Sequence, residues 1–129
     1  MSDSVTITIP MTIPAGLSPN ARMHWGPRSR LTRQAREAAY YATRQAYVED
    51  DGPIPSAGPL TLHVAVAWEG RRRTQDDDNV WAGLKPFRDG IADALGIDDK
   101  HMRCGSITQT RDPEKIGFIK VAIESEAPQ

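Results

Sequence analysis

The chemical signal of this chain is concentrated in a charged run near its middle. Residues 71–73 are three arginines, residues 76–79 read Asp-Asp-Asp-Asn, and a further acidic pair occupies positions 98–99. Clustered carboxylates repel one another, so such a group usually surrounds a hard divalent cation, which prefers oxygen ligands. Neighbouring arginines indicate a phosphate-bearing substrate, because a guanidinium pairs with phosphate oxygens through two hydrogen bonds. Together these residues predict metal-assisted phosphoryl transfer.

The spacing of the acids determines how they can meet one ion. If Asp76 and Asp78 lie in extended backbone, their side chains project to one side about 6–7 Å apart, and Asp77 points away. Asp98 or Asp99 can supply a third ligand, because a helix followed by a tight turn brings the chain back toward its start. The alternative is that the first three acids are solvated and cap a helix, and that the acidic pair belongs to a surface turn.

Two familiar acidic motifs do not fit the run. An EF-hand loop needs an acid or Asn at its fifth position and glycine at its sixth, where this chain has Val80 and Trp81. An aspartate-nucleophile phosphatase places its Asp-x-Asp directly after an apolar strand, whereas residues 71–75 intervene here. Neither class is therefore predicted.

Four segments have the composition of strands. Apolar and polar residues alternate over residues 5–13 and 60–68, and two further strands are predicted over 102–110 and 117–124. Residues 15–30, rich in Gly, Pro, Asn and Arg, are predicted to form a loop. The charged run therefore leaves the end of the second predicted strand.

Two helices are predicted to position the basic and acidic residues. Alanines and other apolar residues at helical spacing predict the first helix over residues 31–48. Asp78 or Asn79 can cap the second helix, which Pro86 either kinks or starts and Gly96 ends. The predicted fold class is α+β, or mixed α/β: a small four-stranded sheet with two main helices on one face.

Basic residues are gathered in one region of an almost neutral chain. Lys and Arg number 16 against 17 Asp and Glu, so the chain lacks the global positive charge of many nucleic-acid binders. Between residues 20 and 48, however, six arginines stand against a single acid, Glu37. Arg33, Arg36, Tyr40 and Arg44 fall on one face of the first predicted helix. This face is either a nucleic-acid-binding stripe or a solvated helix face.

Length and cysteine content restrict the remaining classes of protein. At 129 residues the chain fits a single domain, 1–129, with room for a core. Cys104 is the only cysteine, which excludes an intramolecular disulfide and is typical of a reducing compartment. The sequence has neither a secretory signal pattern nor about eighteen apolar residues in a row. We therefore expect a soluble, cytoplasmic protein without a membrane partner.

The charged run and its surroundings resemble the RusA-like Holliday junction resolvases. In that family basic residues at a strand end precede an Asp-x-Asp-Asn run, followed by a helix with a lysine and an aspartate and then by an Asp-Asp pair. Here the run is residues 76–79, the helix carries Lys85 and Asp89, and the pair is 98–99. In the best-known members the lysine follows the Asp-Asn pair by about one helical turn, where this chain has Ala82. Lys85 therefore matches a longer-spaced version of the motif.

The resemblance covers most of the chain, since residues 18–22 and the basic helix are similar to the family's N-terminal part. It implies a RusA-like endonuclease domain: a homodimeric, Mg²⁺-dependent enzyme, with Mn²⁺ as an alternative ion, that cuts four-way junctions and other branched DNA. The implied metal-binding and catalytic carboxylates are Asp76, Asp78 and Asp99. Lys85 would contact the scissile phosphate, or is only a surface charge.

Arginines are the expected contacts to the DNA backbone, which they would position without reading its sequence. The candidates are Arg22, Arg28, Arg30, Arg33, Arg36, Arg44, Arg71, Arg72 and Arg73. Two other functions fit the same residues. One is a junction-binding module without cleavage, and the other is a metal-dependent nuclease or phosphatase with another substrate.

Overall fold

The computed structural model of the protein describes residues 3–17, 25–50, 59–70 and 72–125, and within these ranges four strands and three helices form the fold. In chain order the elements are β1 (Asp3–Ile9), α1 (Trp25–Asp50), β2 (Leu60–Trp68), α2 (Asp77–Gly83), α3 (Lys85–Leu95), β3 (Met102–Arg111) and β4 (Phe118–Ser125). Short 3₁₀ turns occupy Ala15–Leu17 and Asp99–His101. The predicted α+β class is confirmed.

The strands form one sheet in the order β1-β4-β2-β3. β4 is antiparallel to both β1 and β2, whereas β2 and β3 are parallel. A parallel pair cannot be joined by a hairpin, so the chain crosses from β2 to β3 through α2 and α3. The acidic run opens this crossover and the pair at 98–99 closes it.

The core lies between the sheet and the helices. β2 buries Leu60, Leu62, Val64 and Val66, while the residues that alternate with them, at positions 61, 63 and 65, are partly exposed. Gly90 lets α3 approach α1 closely, because a Cβ added there would lie 2.2 Å from the carbonyl oxygen of Arg36. This close contact fixes the position of the helix that carries Lys85.

Two element boundaries differ from the sequence prediction. The predicted loop over 15–30 is wrong for residues 25–30, which form the first turns of α1. The N–H groups of a first helical turn have no intrahelical partner, so Pro27 costs the helix no hydrogen bond. β1 ends at Ile9 rather than at Ile13, because Pro10 cannot donate to the strand ladder.

The second predicted helix is divided into α2 and α3. α2 ends at Gly83, α3 begins at Lys85, and Leu84 between them keeps right-handed helical angles. Pro86 is the second residue of α3, where the missing N–H has no partner to lose. Of the two predicted roles for this proline, a helix start is the one that the structure has.

Among the described residues, none of the helices combines the length and the apolar content needed to cross a membrane.

Candidate active site

The acids of the run stand at the start of α2. Asp76 is the N-cap residue, with φ −61° and ψ 144°, and its carboxylate makes no capping hydrogen bond. Asp77 and Asp78 lie in the first helical turn, where the helix dipole favours negative charge. All three side chains are exposed. The prediction that Asp78 or Asn79 caps this helix is wrong, because the helix already begins at Asp77.

The early start of α2 also changes the predicted geometry of the acids. Asp76 has the extended backbone expected of it, whereas Asp78 is helical. The side chain two residues after a helix cap does not project to the same side as the cap side chain, as it would in a strand, so the extended Asp76–Asp78 arrangement is wrong. The two carboxylates meet a common ion only if their side chains turn toward it from different backbone conformations.

Gln109 of β3 anchors the backbone that leads into the run. Its amide Nε2 donates to the carbonyl oxygen of Gln75 at 2.7 Å, and its Oε1 accepts from the Gln75 N–H at 2.9 Å. The same Oε1 accepts from the indole N–H of Trp68 at 3.0 Å. Sequence reasoning missed this residue, since nothing in the spacing of a glutamine on an edge strand indicates its partners.

Lys85 contacts one carboxylate within α3 and another in the turn that follows α3. As the first residue of the helix it donates to Asp89 Oδ1 at 2.9 Å and also to Asp99 Oδ2. These hydrogen bonds, that to Asp99 above all, raise the pKa of Lys85, and the bond to Lys85 lowers the pKa of Asp99. A cation at a helix N-terminus is disfavoured by the helix dipole. The two carboxylates therefore offset an intrinsically unfavourable position.

The two acids of the pair, Asp98 and Asp99, make different contacts. Asp98 Oδ1 accepts from the backbone N–H of Lys100 at 3.1 Å, so Asp98 caps the short 3₁₀ turn. Asp99 instead reaches Lys85. The sequence leaves open which of the two is a candidate ligand, and this geometry favours Asp99.

A preassembled three-ligand metal site is not present in the described part of the chain. No three His, Cys, Asp or Glu side chains there are arranged around one ion position. The donor chemistry nevertheless fits a hard cation. Asp76 and Asp78 make no ion pair with any described residue, and Asp99 already binds a positive group, the Lys85 ammonium. Carboxylate oxygens are the ligands that Mg²⁺ prefers.

A half-buried arginine, Arg88, lies near Asp89 and Asp99. The Arg88 guanidinium lies 4.2 Å from the centroid of the Trp81 ring and donates to the Trp81 carbonyl oxygen at 3.1 Å. Burial lowers the pKa of Arg88, while the nearby Asp89 and Asp99 act in the opposite direction. Burial, then the charge of Asp77, raises the pKa of Cys104, and Arg88 opposes this shift. The charges of Asp89 and Asp99 therefore act on Arg88, and the charge of Asp77 acts on its neighbour Cys104.

The Arg72 side chain is held by contacts within the protein. Its guanidinium lies 4.5 Å from the centroid of the Trp68 ring and pairs with Glu69 at 2.9 Å. The side chain is only 18% exposed. Arg73, by contrast, is exposed, and Arg71 lies outside the described residues. Of these three candidates for DNA contact, Arg73 is the one with a described, accessible side chain.

The basic residues of α1 differ in whether their side chains contact other residues of the protein. Arg28 donates to the carbonyl oxygen of Gly16 at 2.7 Å, and Arg44 stacks on Tyr40 at 5.8 Å from the ring centroid. Arg30 and Arg33 are exposed and make no ion pair with a described residue. Arg22 lies outside the described residues.

An ion pair connects the basic face of α1 with the helix of Lys85. Arg36 Nε donates to Asp93 Oδ2 at 2.6 Å, and Asp93 follows Asp89 by one turn of α3. This hydrogen bond, followed by the charges of Asp93 and Asp89, raises the pKa of Arg36. Charges of alternating sign thus run from Asp99 through Lys85 and Asp89 toward α1.

Comparisons with known proteins identify similarity but no family. No family model matches the chain. The chain is similar to an uncharacterized protein of Xylella fastidiosa (strain Temecula1), with 48% identity over 84 residues. The match covers 65% of this chain and 54% of that protein, so it spans about half the length of the relative.

Proposed function

We propose that the protein is a Mg²⁺-dependent endonuclease that cuts branched DNA, with the four-way junction as its substrate. The observation that supports this most strongly is the contact of Lys85 with Asp99 and Asp89, beside the exposed acids that open α2. A local rule is broken there, since a cation occupies the first position of α3. Such departures are expected at functional sites.

Asp76, Asp78 and Asp99 are the residues that would hold the ion. Mg²⁺, or Mn²⁺ in its place, would lower the pKa of a bound water and neutralise charge on the phosphate when bound. The acids of α2 carry no described ion pair, so they present free oxygens for this purpose. Asp99 would exchange its contact with Lys85 for the ion.

Lys85 is the proposed contact to the scissile phosphate. Its raised pKa keeps the ammonium charged at neutral pH. If Asp99 bound the ion, Lys85 would keep Asp89 as its partner, which would hold the ammonium at the N-terminal turn of α3. A fixed positive group at this place stabilises negative charge that develops on a phosphate oxygen.

The exposed arginines would hold the DNA backbone. Arg30, Arg33 and Arg73 have accessible guanidinium groups, and Arg44 adds a cation beside Tyr40. Contacts of this kind position the duplex without reading its sequence, and they weaken as salt is added.

Symmetrical incision of a junction requires two active sites, so we propose a two-fold homodimer. A monomer in light scattering at micromolar concentration would contradict this part of the proposal. We place the activity in the cytoplasm, where a lone cysteine stays reduced.

A second candidate is a junction-binding module that does not cut. It is favoured by the ion pair in which Lys85 already neutralises Asp99. The two functions make the same prediction for binding and opposite predictions for cleavage.

Cleavage of a synthetic four-way junction separates the two candidates. Purified protein is incubated with the junction in Mg²⁺, beside flap, single-stranded and linear duplex substrates. Wild type should cut the junction best, and Asp78→Asn and Asp99→Asn should each lower the rate by about 100-fold or more. Asp98→Asn is the matched control: asparagine caps as well as aspartate, so its rate should stay near that of wild type. Junction binding without any cutting would support the binding module, and equal losses at Asp98 and Asp99 would contradict the assigned site.

A further inference from the structure

A small cavity lies beside the acidic run, between α2 and the outer strand β3. Its volume is about 190 Å³. Asp78 and Trp81 line it from α2, and Cys104, Ser106 and Ile107 line it from β3. This is smaller than the roughly 300–1,000 Å³ of sites for drug-sized ligands. The cavity has room for one planar ring next to a proposed metal ligand.

A β-bulge shapes the strand side of this cavity. Leu62 pairs with Cys104, whereas the next residue, His63, pairs with Ser106, so Gly105 is an extra residue in β3. A Cβ on Gly105 would lie 2.5 Å from the His63 ring and from the Thr61 methyl group, so the glycine leaves room for both side chains over the bulge. The His63 ring is held over this position by its Nδ1, 2.9 Å from Ser106 Oγ. The extra residue of a bulge lacks ladder partners, which leaves backbone groups beside the cavity for a ligand.

The helix side of the cavity is a fixed aromatic wall. Trp81 is partly buried, and Arg88 holds it both through the ring, at 4.2 Å, and through the backbone carbonyl, at 3.1 Å. An aromatic ring that is held in place before binding loses little conformational entropy when a second ring stacks on it. The wall is therefore suited to stacking.

Charge decides what class of ligand the cavity accepts. The carboxylates of Asp77 and Asp78 belong to its lining, so an anionic group such as phosphate is repelled unless a cation intervenes. The remaining lining is aromatic, aliphatic, thiol and hydroxyl. These surfaces favour a neutral, planar, hydrogen-bonding ring, and successive bases of a nucleic acid strand are such rings.

We propose that this cavity, the bulge pocket, takes one unstacked nucleobase of the DNA strand that is cut. The inference rests on the proposed endonuclease function, since Asp78 is shared by the pocket and the metal-binding acids. The phosphate next to that base would lie at the acids of α2, and the base would stack on Trp81. The pocket thus sets the position of the cut along the strand.

The first test asks whether the contribution of one base to binding depends on Trp81. An abasic nucleotide is placed in turn at each position around the cut of a four-way junction, and the affinity is measured with Ca²⁺ in place of Mg²⁺. One position next to the cut should lose affinity by about tenfold, the scale of one base stacked on an aromatic ring. Trp81→Ala should bind the intact and the abasic junction equally, and Trp81→Phe should restore the difference. Trp25→Ala is the control, because Trp25 is 84% exposed at the start of α1 and does not line the pocket.

The second test uses the unchanged protein, so it does not depend on how well a variant folds. Cys104 is the only cysteine and lines the pocket, so a small alkylating reagent at alkaline pH labels it alone. The intact junction should slow this labelling severalfold, and the junction that lacks the identified base should not. The free protein with Ca²⁺ alone sets the reference rate.

The outcomes separate the two proposals. A position-specific loss that disappears in Trp81→Ala, together with base-dependent protection of Cys104, supports the bulge pocket. A junction that is bound and cut with no sensitive position, or with equal protection by intact and abasic DNA, overturns the pocket and leaves the endonuclease standing. Failure of the wild type to bind any junction overturns both.

Discussion

The acids that open the β2–β3 crossover and those that close it differ in what neutralises them. Asp76 and Asp78 are exposed and make no ion pair with the described residues. Asp99 is joined to Lys85, which also binds Asp89. The first group therefore presents free charge, whereas the second carries its own cation. In the proposed metal site, the first group would therefore be free to bind an ion, whereas Asp99 would first have to leave Lys85.

The largest effect is expected when Asp99 loses its cation, so that it has no ion pair, like Asp76 and Asp78. Lys85→Met removes the cation from Asp99 and Asp89 and leaves two unpaired carboxylates. We expect the cleavage rate at saturating Mg²⁺ to fall by about 10²–10³-fold, because a group that stabilises the transition state is lost. Mg²⁺ affinity should rise, since Asp99 no longer has a competing partner.

Calorimetry and single-turnover cleavage measure these two effects of Lys85→Met independently. Lys85→Arg is the control that keeps the charge and should lose less activity. Weaker Mg²⁺ binding by Lys85→Met would contradict the idea that Lys85 and the ion compete for Asp99.

A smaller effect is expected at Asp89. Asp89→Asn weakens the second contact of Lys85, and we expect about tenfold slower cleavage with Mg²⁺ affinity unchanged, the scale found when an orienting partner is removed. Asp93→Asn is the matched control on the same helix. It breaks the exposed pair with Arg36, which contributes about 0.2–1 kcal/mol to stability, and should leave the rate per folded molecule near wild type. Equal loss of rate in both variants would mean that the charge of α3, rather than the Lys85 contact, is what matters.

The pH dependence of stability should report the Lys85–Asp99 contact. The pKa of Asp99 is lowered from its ordinary value of 3.8, so its contribution is present above that pH and is lost as the pH falls through the lowered pKa. The pKa of Lys85 is raised above 10.5, so its contribution is complete below that pH and is lost as the pH rises through the raised value. The melting temperature of wild type should therefore exceed that of Lys85→Met near neutral pH, and the curves should converge on acidification. A gap that does not shrink as the pH is lowered would contradict the assignment.

The smallest effect is expected at a carboxylate that has no cation. Asp112 accepts from the backbone N–H groups of Gly117 at 2.9 Å and Glu114 at 3.0 Å, and these bonds lower its pKa. Asp112→Asn should lower the melting temperature slightly at neutral pH, with the difference closing as the pH falls through that lowered pKa. High salt should shrink the Lys85→Met difference and leave the Asp112→Asn difference nearly unchanged, since screening acts on exposed ion pairs. Equal salt sensitivity in the two variants would show that charge pairing does not distinguish these acids.

The fold was predictable wherever a local pattern decided it. The alternating residues of β2 give its bounds, 60–68, without error, and the parallel pair follows from the helices between β2 and β3. The start of α1 at Trp25 was not predictable from composition, because Pro27 reads as a loop residue until its place in the first turn is known. The predicted cap of α2, Asp78 or Asn79, lies two or three residues after the observed cap, Asp76, because several neighbouring polar residues can all serve as caps.

The sequence predicts which residues belong to the candidate site, but it predicts their contacts only in part. The spacing of Lys85 and Asp89 by four residues on a helix indicates their contact, whereas the bond from Lys85 to Asp99 depends on how α3 and the following turn fold back. The partners of Gln109 are 34 and 41 residues away, so no local pattern reveals them. Arg88 contacts Trp81 only seven residues earlier, but this contact depends on how α2 and α3 are joined. Tertiary contacts, rather than propensities, place these groups.

The claim that the two groups of acids share one hard cation is tested most directly by paramagnetic broadening with Mn²⁺. Mn²⁺ is titrated at substoichiometric amounts into protein labelled with ¹³C and ¹⁵N, and the side-chain carboxyl signals of the aspartates are followed by NMR. We predict that Asp76, Asp78 and Asp99 broaden together at the lowest additions, that excess Mg²⁺ reverses the effect, and that Asp112 stays sharp. Broadening of Asp76 and Asp78 without Asp99, or of all exposed aspartates alike, would contradict a shared site.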